Sequence, residues 1–207
     1  MKILALDASP EACTVALQID GNVIERFSLG GNHSERILPM VHEVLGEGGT
    51  SLKQLDAIAF GRGPGSFPGL RIGAGVTQGL AFGADLPVIP ISSLAALAQG
   101  VDAARVLAAF DARMQQVYWG AYQRDPEGLM ALVMPETVVG PINAPLPAGP
   151  GWIVAGSGWD AYKDILEPRM SAFGANGLTG VIPQARHVAN LALPRFRVRD
   201  VVSPELA

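Results

Sequence analysis

The segment GRGPGSFPGLRIG, residues 61–73, has the strongest influence on how this sequence is interpreted. It follows the apolar run LDAIAF at 55–60, which is typical of a short buried strand, and it leads into a helical pattern that reaches Gly83. Turns of this kind bind anions through free backbone N–H groups, but they also let a helix pack closely on a sheet. The segment has neither the Gly-Lys-Ser/Thr end of a Walker A loop nor a dinucleotide-binding fingerprint. We favour the packing interpretation and keep an anion or nucleotide site as the alternative.

The helix after this turn carries glycine at two sets of positions four residues apart. Gly69 and Gly73 form one set, and Gly75, Gly79 and Gly83 form the other. Each interior glycine costs about 1 kcal/mol relative to alanine, so a close backbone neighbour is expected to offset the loss. Small residues four apart allow such an approach between helices. The neighbour is either internal to the chain or another subunit, and the pattern does not separate these two.

Alternating and helical patterns place further elements on both sides of this turn. An antiparallel meander is expected at 2–6, 12–19 and 22–29, followed by a helix from Ser34, as N-cap, to Gly46. A strand at 86–91 and a helix from Ser92 or Ser93 to Gly100 complete the order βββαβαβα. This order is that of a ribonuclease-H-like half of the actin/Hsp70 superfamily, an analogy at the level of fold.

The pattern starts again near residue 101 in an abbreviated form. A strand from Arg105 to Phe110 ends in Asp111, as the first strand ends in Asp7. Strands at 116–123, 130–138 and 152–155 and helices at 159–166 and 183–193 follow. We therefore predict an α/β, actin/Hsp70-like (ribonuclease-H-like) two-lobed fold with mixed β-sheets flanked by helices. The first lobe comprises residues 1–101 and 183–207, and the second comprises 102–182.

The composition is that of a folded protein with a sizeable core, since 49% of residues are hydrophobic and 16% are charged. A net charge of −4 does not favour nucleic acid over the whole surface. Cys13 is the only cysteine, which fits a reducing compartment. Asp7 and Glu11 interrupt any secretory signal, and Ile72–Ala84 is too short to span a bilayer. We expect a cytoplasmic protein with no membrane association.

Catalytic and metal-binding patterns are weak. His33 and His42 are nine residues apart and His187 is distant, so no pair has the spacing of two ligands on one helix face, and no metal site is expected. Cys13 lies mid-strand without a histidine nearby and is interpreted as a buried structural residue. Ser9 and Ser66 lack an identifiable base, and no Gly-x-Ser-x-Gly elbow is present.

A nucleotide site is the remaining catalytic hypothesis, and we favour weak or absent ATP binding. Carboxylates at the ends of the first strands of the two repeats could orient a metal and phosphates. The alternatives are that Asp7 caps the next turn and that Asp111 pairs with Arg113. The candidate nucleotide- or anion-binding residues are Asp7, Ser9, Gly63, Gly65, Ser66, Asp111, Gly156 and Gly158.

Near the end of the chain, arginine alternates with apolar residues. Arg195, Arg197 and Arg199 would lie on one side of an extended segment and could contact RNA or an acidic partner. We favour a solvated edge strand, because charges commonly protect such edges.

Eight short motifs occur in an order that, together, resembles the TsaB (YeaZ) family. They span residues 33 to 159 and are HSE at 33–35, ILP at 37–39, GPGSF at 63–67, GLRIG at 69–73, SSL at 92–94, DAR at 111–113, VYW at 117–119 and GSGW at 156–159.

The resemblance implies a non-catalytic scaffold in the synthesis of threonylcarbamoyladenosine at position 37 of tRNA. In that family the partner TsaD transfers the threonylcarbamoyl group, a small ATPase, TsaE, joins the complex, and tRNA is contacted only indirectly. The scaffold pairs with TsaD, or with itself when alone, through helices that map to Ser34–Gly46 and Pro68–Gly83. No cofactor of its own is implied, although ATP or ADP could bind at a subunit interface. The implied interface residues are His33, Ser34, Arg36, Ile37, Pro39, Met40, Phe67, Pro68, Arg71, Ile72, Gly75, Val76 and Gly79.

The sequence departs from the family pattern at two places. Pro68 replaces the usual threonine; proline suits a first helical turn but disfavours a helical residue before it, so the helix is predicted to begin at Pro68. The family's Tyr-Leu-Arg segment near the C-terminus is also missing before Ala207. Two rival functions remain open, an ATP-binding actin-like enzyme and a stand-alone regulatory homodimer.

Overall fold

The computed structural model describes residues 1–8, 12–30 and 33–207, and these form an α/β fold with two five-stranded mixed sheets. The chain divides into a first unit, residues 1–96 and 184–207, and a second unit, residues 97–183. The elements are β1 (Lys2–Asp7), β2 (Ala12–Ile19), β3 (Asn22–Leu29), α1 (His33–Glu47), β4 (Ala57–Gly61), α2 (Phe67–Ala84), β5 (Val88–Ile91), α3 (Ser93–Gln99), β6 (Arg105–Arg113), β7 (Gln116–Arg124), β8 (Met130–Val139), β9 (Ile153–Ala155), α4 (Ser157–Ala161), α5 (Lys163–Phe173), β10 (Asn176–Leu178) and α6 (Ala185–Arg197). Three short 3-10 turns lie at Leu52–Gln54, Pro141–Asn143 and Pro204–Leu206.

The sheet of the first unit has the strand order β3-β2-β1-β4-β5. β1, β2 and β3 pair antiparallel as the predicted meander, whereas β4 and β5 add parallel to β1. Parallel neighbours require crossover connections, and α1 and α2 lie in the segments that provide them. The predicted order βββαβαβα is confirmed.

The core of the first unit is built on both faces of the central strand β1. Leu4 and Leu6 belong to a buried cluster that includes Val41 and Val44 of α1 and Ala81 of α2. The α6 helix packs against β1, β2, β4 and β5, although it comes from the far end of the chain. β1 is thus buried from Ile3 to Asp7 because helices cover the sheet.

The sheet of the second unit repeats the strand order of the first. Taken from the meander edge it is β8-β7-β6-β9-β10, with β6 parallel to β9 and antiparallel to β7. The copy is shorter, as predicted, since β9 and β10 have three residues each. The 3-10 turn Pro141–Asn143 stands where the first unit has the 15-residue helix α1.

Three predicted boundaries need correction. α1 begins at His33, so Ser34 lies within its first turn and is not the N-cap. α2 begins at Phe67, with Ser66 as N-cap and Pro68 accommodated in the first turn, where a missing N–H has no consequence. The predicted helix at 159–166 is two helices, α4 and α5.

The prediction of an extended arginine-bearing segment is wrong. α6 continues to Arg197 because Val188, Leu191 and Ala192 recur at helical spacing and are buried. Arg195 donates to the carbonyl of Pro90 and, through Nε at 2.7 Å, to Asp200. The guanidinium groups therefore lie at or just beyond the C-terminal end of a helix, where the dipole favours cations.

Candidate docking surface on the first unit

The first glycine set of α2 is buried and explains how closely this helix packs on the sheet. A Cβ built on Gly69 would lie 1.9 Å from the carbonyl oxygen of Ala8, nearer than a side chain can approach. A Cβ on Gly73 would lie 3.8 Å from the Cβ of Ala8, an ordinary contact. Close packing after the glycine-rich turn therefore depends on Gly69.

The second glycine set lies on the exposed side of the same helix. Gly75, Gly79 and Gly83 are exposed, and a Cβ on any of them would meet no atom within 4 Å. The sequence left open whether these glycines face a neighbour within the chain or another subunit. No such neighbour lies within the described part of this chain. Phe67 and Phe82, 66% and 55% exposed, lie towards the two ends of the helix. We call the set Pro68, Arg71, Gly75, Gly79, Phe82 and Gly83 the open face of α2.

The predicted interface residues of α1 divide between surface and core. Ser34, Arg36 and Pro39 are exposed. Ile37 and Met40 are buried in the core of the unit, and His33 is nearly buried, so these three do not form an exposed surface in this conformation.

On α2, Ile72 and Val76 are partly buried against the same core, while Phe67, Pro68 and Arg71 are exposed. Sequence reasoning missed two exposed apolar residues. Leu38 of α1 is half exposed, and Phe82 lies three residues after Gly79 on the open face. Extending the glycine stripe by helical spacing would have found Phe82.

A groove of about 360 Å³ lies beside the first turns of α2. Its more buried lining is apolar, from Phe60, Leu70 and Ala74. Its exposed lining includes Arg71, whose guanidinium lies 3.9 Å from the centre of the Phe67 ring. Arg62 and Ala207 complete the lining.

Of the candidate nucleotide-binding residues in the first unit, Asp7 is held inside the protein. It is 1% exposed, and the Ser93 hydroxyl donates to its Oδ2 at 2.7 Å. A Cβ on Gly61 would lie 1.8 Å from the same Oδ2, so the carboxylate requires glycine at that position. The first-strand carboxylate is therefore buried and hydrogen-bonded within the first unit.

The glycine-rich turn beside it is tied to β5 and α3. The Ser93 amide donates to the Gly63 carbonyl, and the Arg62 amide donates to the Ile91 carbonyl, both at 2.8 Å. Gly65 is partly buried and Ser66 is exposed. Ser9 lies outside the described residues.

In the second unit, the carboxylate of Asp111 is engaged by its neighbours. Oδ1 accepts from the Arg113 amide at 2.8 Å and from the Tyr162 hydroxyl at 3.0 Å, and Oδ2 lies 3.1 Å from an Arg113 guanidinium nitrogen. This confirms the predicted pairing with Arg113. Burial and the Asp111 carboxylate raise the pKa of the Tyr162 hydroxyl.

The two candidate glycines of the second unit have a packing explanation. A Cβ on Gly156 would lie 2.2 Å from the Ala109 carbonyl oxygen, and one on Gly158 would lie 3.0 Å from the Ala109 carbonyl carbon. Both positions therefore let α4 approach β6 closely.

Other reactive groups are few in the part of the chain that the structure describes. No group of three or more His, Cys, Asp or Glu side chains there could hold a metal ion. Burial, followed by the nearby Asp7 carboxylate, raises the pKa of the Cys13 thiol to about 12, as suits a structural cysteine. Within the described residues, no helix has the length and apolar character needed to cross a membrane.

Comparison with known proteins gives consistent matches across nearly the whole chain. The chain is 41% identical over 217 residues to the tRNA threonylcarbamoyladenosine biosynthesis protein TsaB of Haemophilus influenzae, covering 98% of this chain and 89% of that protein. The chain belongs to the TsaB family. The TsaB protein of Escherichia coli (strain K12) is 49% identical over 173 residues, covering 80% of this chain and 75% of that protein.

Structural comparison agrees with membership of the TsaB family. YeaZ from Pseudomonas aeruginosa has a TM-score of 0.91 at 41% identity, covering 99% of this chain and 96% of that one. An activator of 2-hydroxyisocaproyl-CoA dehydratase from Clostridium difficile has a TM-score of 0.53 at 10% identity, covers 97% of each chain and shares the fold alone. With the repeated strand order, these matches show the actin/Hsp70-like two-lobed fold.

One family model also matches this TsaB-family chain. It is described as TsaD, tRNA N6-adenosine threonylcarbamoyltransferase, and it matches residues 29–167. The chain therefore also lies within the wider family that this model describes. The matched region contains α1, α2 and the β6–β7 pair.

Proposed function

We propose that this chain is an accessory subunit in the biosynthesis of tRNA threonylcarbamoyladenosine. Its role is that of a non-catalytic scaffold that binds and activates a TsaD-type transferase, which modifies position 37 of tRNA. The names of the TsaB relatives support the pathway, and the match to the TsaD model supports a related partner. The single observation that carries the scaffold role is the open face of α2.

The physical argument starts from the cost of the exposed glycines. Gly75, Gly79 and Gly83 together weaken the helix by about 3 kcal/mol relative to alanine, at about 1 kcal/mol each. No described atom of this chain lies close enough to benefit from their missing side chains. A helix from another subunit could approach the backbone along this stripe and bury the adjacent Phe82. Partner binding then offsets the glycine cost.

The same surface serves a homodimer when the chain is alone. A self-complementary helix pair about a two-fold axis uses one patch on both copies, so the homodimer and the heterodimer compete for the open face of α2. A TsaE-type ATPase joins through the assembled pair, and tRNA is contacted only indirectly. A role in tRNA modification implies a cytoplasmic protein.

The non-catalytic part of the proposal rests on the two strand-end carboxylates. Asp7 is buried and bonded to Ser93, and Asp111 is paired with Arg113 and Tyr162. Each group would have to exchange these partners before it could serve a nucleotide. Any ATP or ADP would then bind with contributions from a second subunit. The rival, an ATP-binding enzyme in its own right, predicts micromolar binding and turnover by the isolated chain with ATP and Mg²⁺, measured by calorimetry and phosphate release.

The direct test uses Gly79→Leu, which adds a large side chain to the middle of the open face. The variant is mixed with a TsaD-type transferase, and complex formation is followed by sedimentation velocity. The matched control is Ser171→Leu, which adds the same side chain to an exposed site on α5 of the second unit. We expect Gly79→Leu to weaken pairing at least a hundredfold and the control to pair like the wild type. Normal pairing by Gly79→Leu would refute docking through this face.

A further inference from the structure

The groove beside α2 combines an apolar floor with a positively charged rim. The floor is formed by Phe60, which is buried, and by Leu70 and Ala74, which are partly buried. The exposed rim carries Arg62 and Arg71. Of the lining residues, Arg62 and Arg71 alone have charged side chains, and both are cationic, whereas Ala207 contributes a main-chain carboxylate. The Arg71 guanidinium is the group on this rim that can attract and bind an anion.

The conformation of the Arg71 side chain favours contact with an anion. Its guanidinium stacks 3.9 Å from the centre of the Phe67 ring, and it forms no ion pair with a described residue. Stacking on an aromatic ring restricts the long side chain, so less conformational entropy is lost when a carboxylate binds. The planar guanidinium can then bind a carboxylate through two N–H groups.

The groove is continuous with the open face of α2. Arg71 and Gly75 are four residues apart and therefore neighbours on the helix surface. A partner seated on the glycine stripe would place its adjoining residues beside Arg71 and Phe67. At about 360 Å³ the groove lies at the lower end of the range for ligand pockets, which suits one or two side chains of a docked segment.

From these observations we infer that the groove binds an acidic peptide segment of the partner subunit. One aliphatic or aromatic side chain of that segment rests on the floor formed by Phe60, Leu70 and Ala74. A neighbouring carboxylate binds the guanidinium of Arg71. The inference rests on the proposed docking role of α2 and adds the chemistry of the partner: an apolar anchor flanked by Asp or Glu.

The first test measures pairing with a TsaD-type transferase for variants that change either property of the groove. Arg71→Gln removes the charge, and Ala74→Phe fills the floor. Each is expected to weaken pairing by tenfold or more, because buried ion pairs and anchor pockets dominate interface energies. Arg197→Gln, an exposed arginine on α6 outside the groove, is the matched control and should stay within twofold of wild type. Unchanged pairing by Arg71→Gln would overturn the inference.

The second test needs no partner protein. A peptide with blocked ends and the sequence Glu-Leu-Phe-Glu is titrated to millimolar concentration, and methyl shifts of Leu70 and Ala74 are followed by NMR. We expect saturating shifts with this peptide, at least tenfold weaker binding for Gln-Leu-Phe-Gln, and loss of the difference in Arg71→Gln. Equal binding of both peptides, or shifts outside the groove only, would overturn the inference.

The two proposals fail in different ways. If Gly79→Leu pairs normally while the acidic peptide binds in the groove, the docking role of the open face is wrong and the groove stands. If Gly79→Leu fails to pair while Arg71→Gln and Ala74→Phe pair normally, the open face stands and the groove inference is wrong.

Discussion

Alanine at single glycines of α2 is expected to change stability in opposite directions on the two sides of this helix. A methyl group at Gly69 would lie 1.9 Å from the Ala8 carbonyl oxygen, whereas contacts under 3.0 Å essentially never occur. The helix start must therefore move by about 1 Å from the end of β1. Overpacking of this kind costs about 1–3 kcal/mol, partly offset by up to about 1 kcal/mol from the better helix propensity of alanine. We expect Gly69→Ala to lose about 1–2 kcal/mol.

The same substitution on the open face should stabilise the chain. A methyl group at Gly79 meets no atom within 4 Å, so only the gain in helix propensity remains, about 1 kcal/mol. Gly73→Ala is also expected to raise stability. Although Gly73 is buried, its methyl group would make an ordinary 3.8 Å contact with Ala8. A gain of about 1 kcal/mol corresponds to roughly 2–4 °C in Tm for a chain of this size.

The assay is urea and thermal unfolding of the three alanine variants, followed by circular dichroism in parallel with the wild type. Sedimentation at several protein concentrations checks that association does not contribute to the measured stability. The expected order of stability is Gly69→Ala below wild type, and Gly73→Ala and Gly79→Ala above it. If Gly69→Ala matched the wild type, the packing of α2 against the end of β1 would differ from that described above. If Gly79→Ala lost stability, Gly79 would not lie on an open face.

Two further predictions concern buried groups of the first unit. Ser93→Ala removes the donor to a buried charged acceptor, Asp7, and should lower the free energy of unfolding by about 2 kcal/mol in urea titrations; a loss below about 0.5 kcal/mol would mean that this hydrogen bond is unimportant. The pKa of the Cys13 thiol is raised from 9.0 to about 12 in the folded state, so its contribution to stability is complete below pH 9 and is lost as pH rises towards 12. A thiol reagent at pH 8 should label Cys13 only in urea, and rapid labelling of the native chain would contradict its burial.

The repeated strand order could be predicted from sequence because its signals are local. Strands such as β2 and β3 have full-length alternating or apolar runs separated by the turn at Asp20 and Gly21, and each repeat starts with an apolar strand that ends in aspartate. β10 was missed because three exposed residues, Asn176–Leu178, carry no periodicity. The arginine segment was misassigned because alternation of charged and apolar residues over five positions imitates a strand, and burial of the preceding helical face decided the outcome.

The candidate surface could be predicted only in part. Glycine spacing identified α2, but a glycine has no side chain whose polarity reveals whether its side of the helix faces core or solvent. Only the fold separates Gly69, whose Cβ would collide with Ala8, from Gly79, whose Cβ would meet no atom of the described residues within 4 Å. The core positions of Ile37 and Met40 follow from the packing of α1 on β2, which a motif match does not convey.

The position of α6 near the end of the sequence affects how the first unit folds during synthesis. Its residues, together with Val202, which bridges to Val88 of β5, belong to the first unit but are synthesised after the whole of the second. At roughly 5–20 residues per second, the first sheet waits about 4–17 s for the helix that covers one of its faces. During that interval, strands β1 to β5 would be exposed on an apolar side to other nascent chains. A ribosome-bound chain halted near residue 183 should therefore depend on chaperones far more than the released protein.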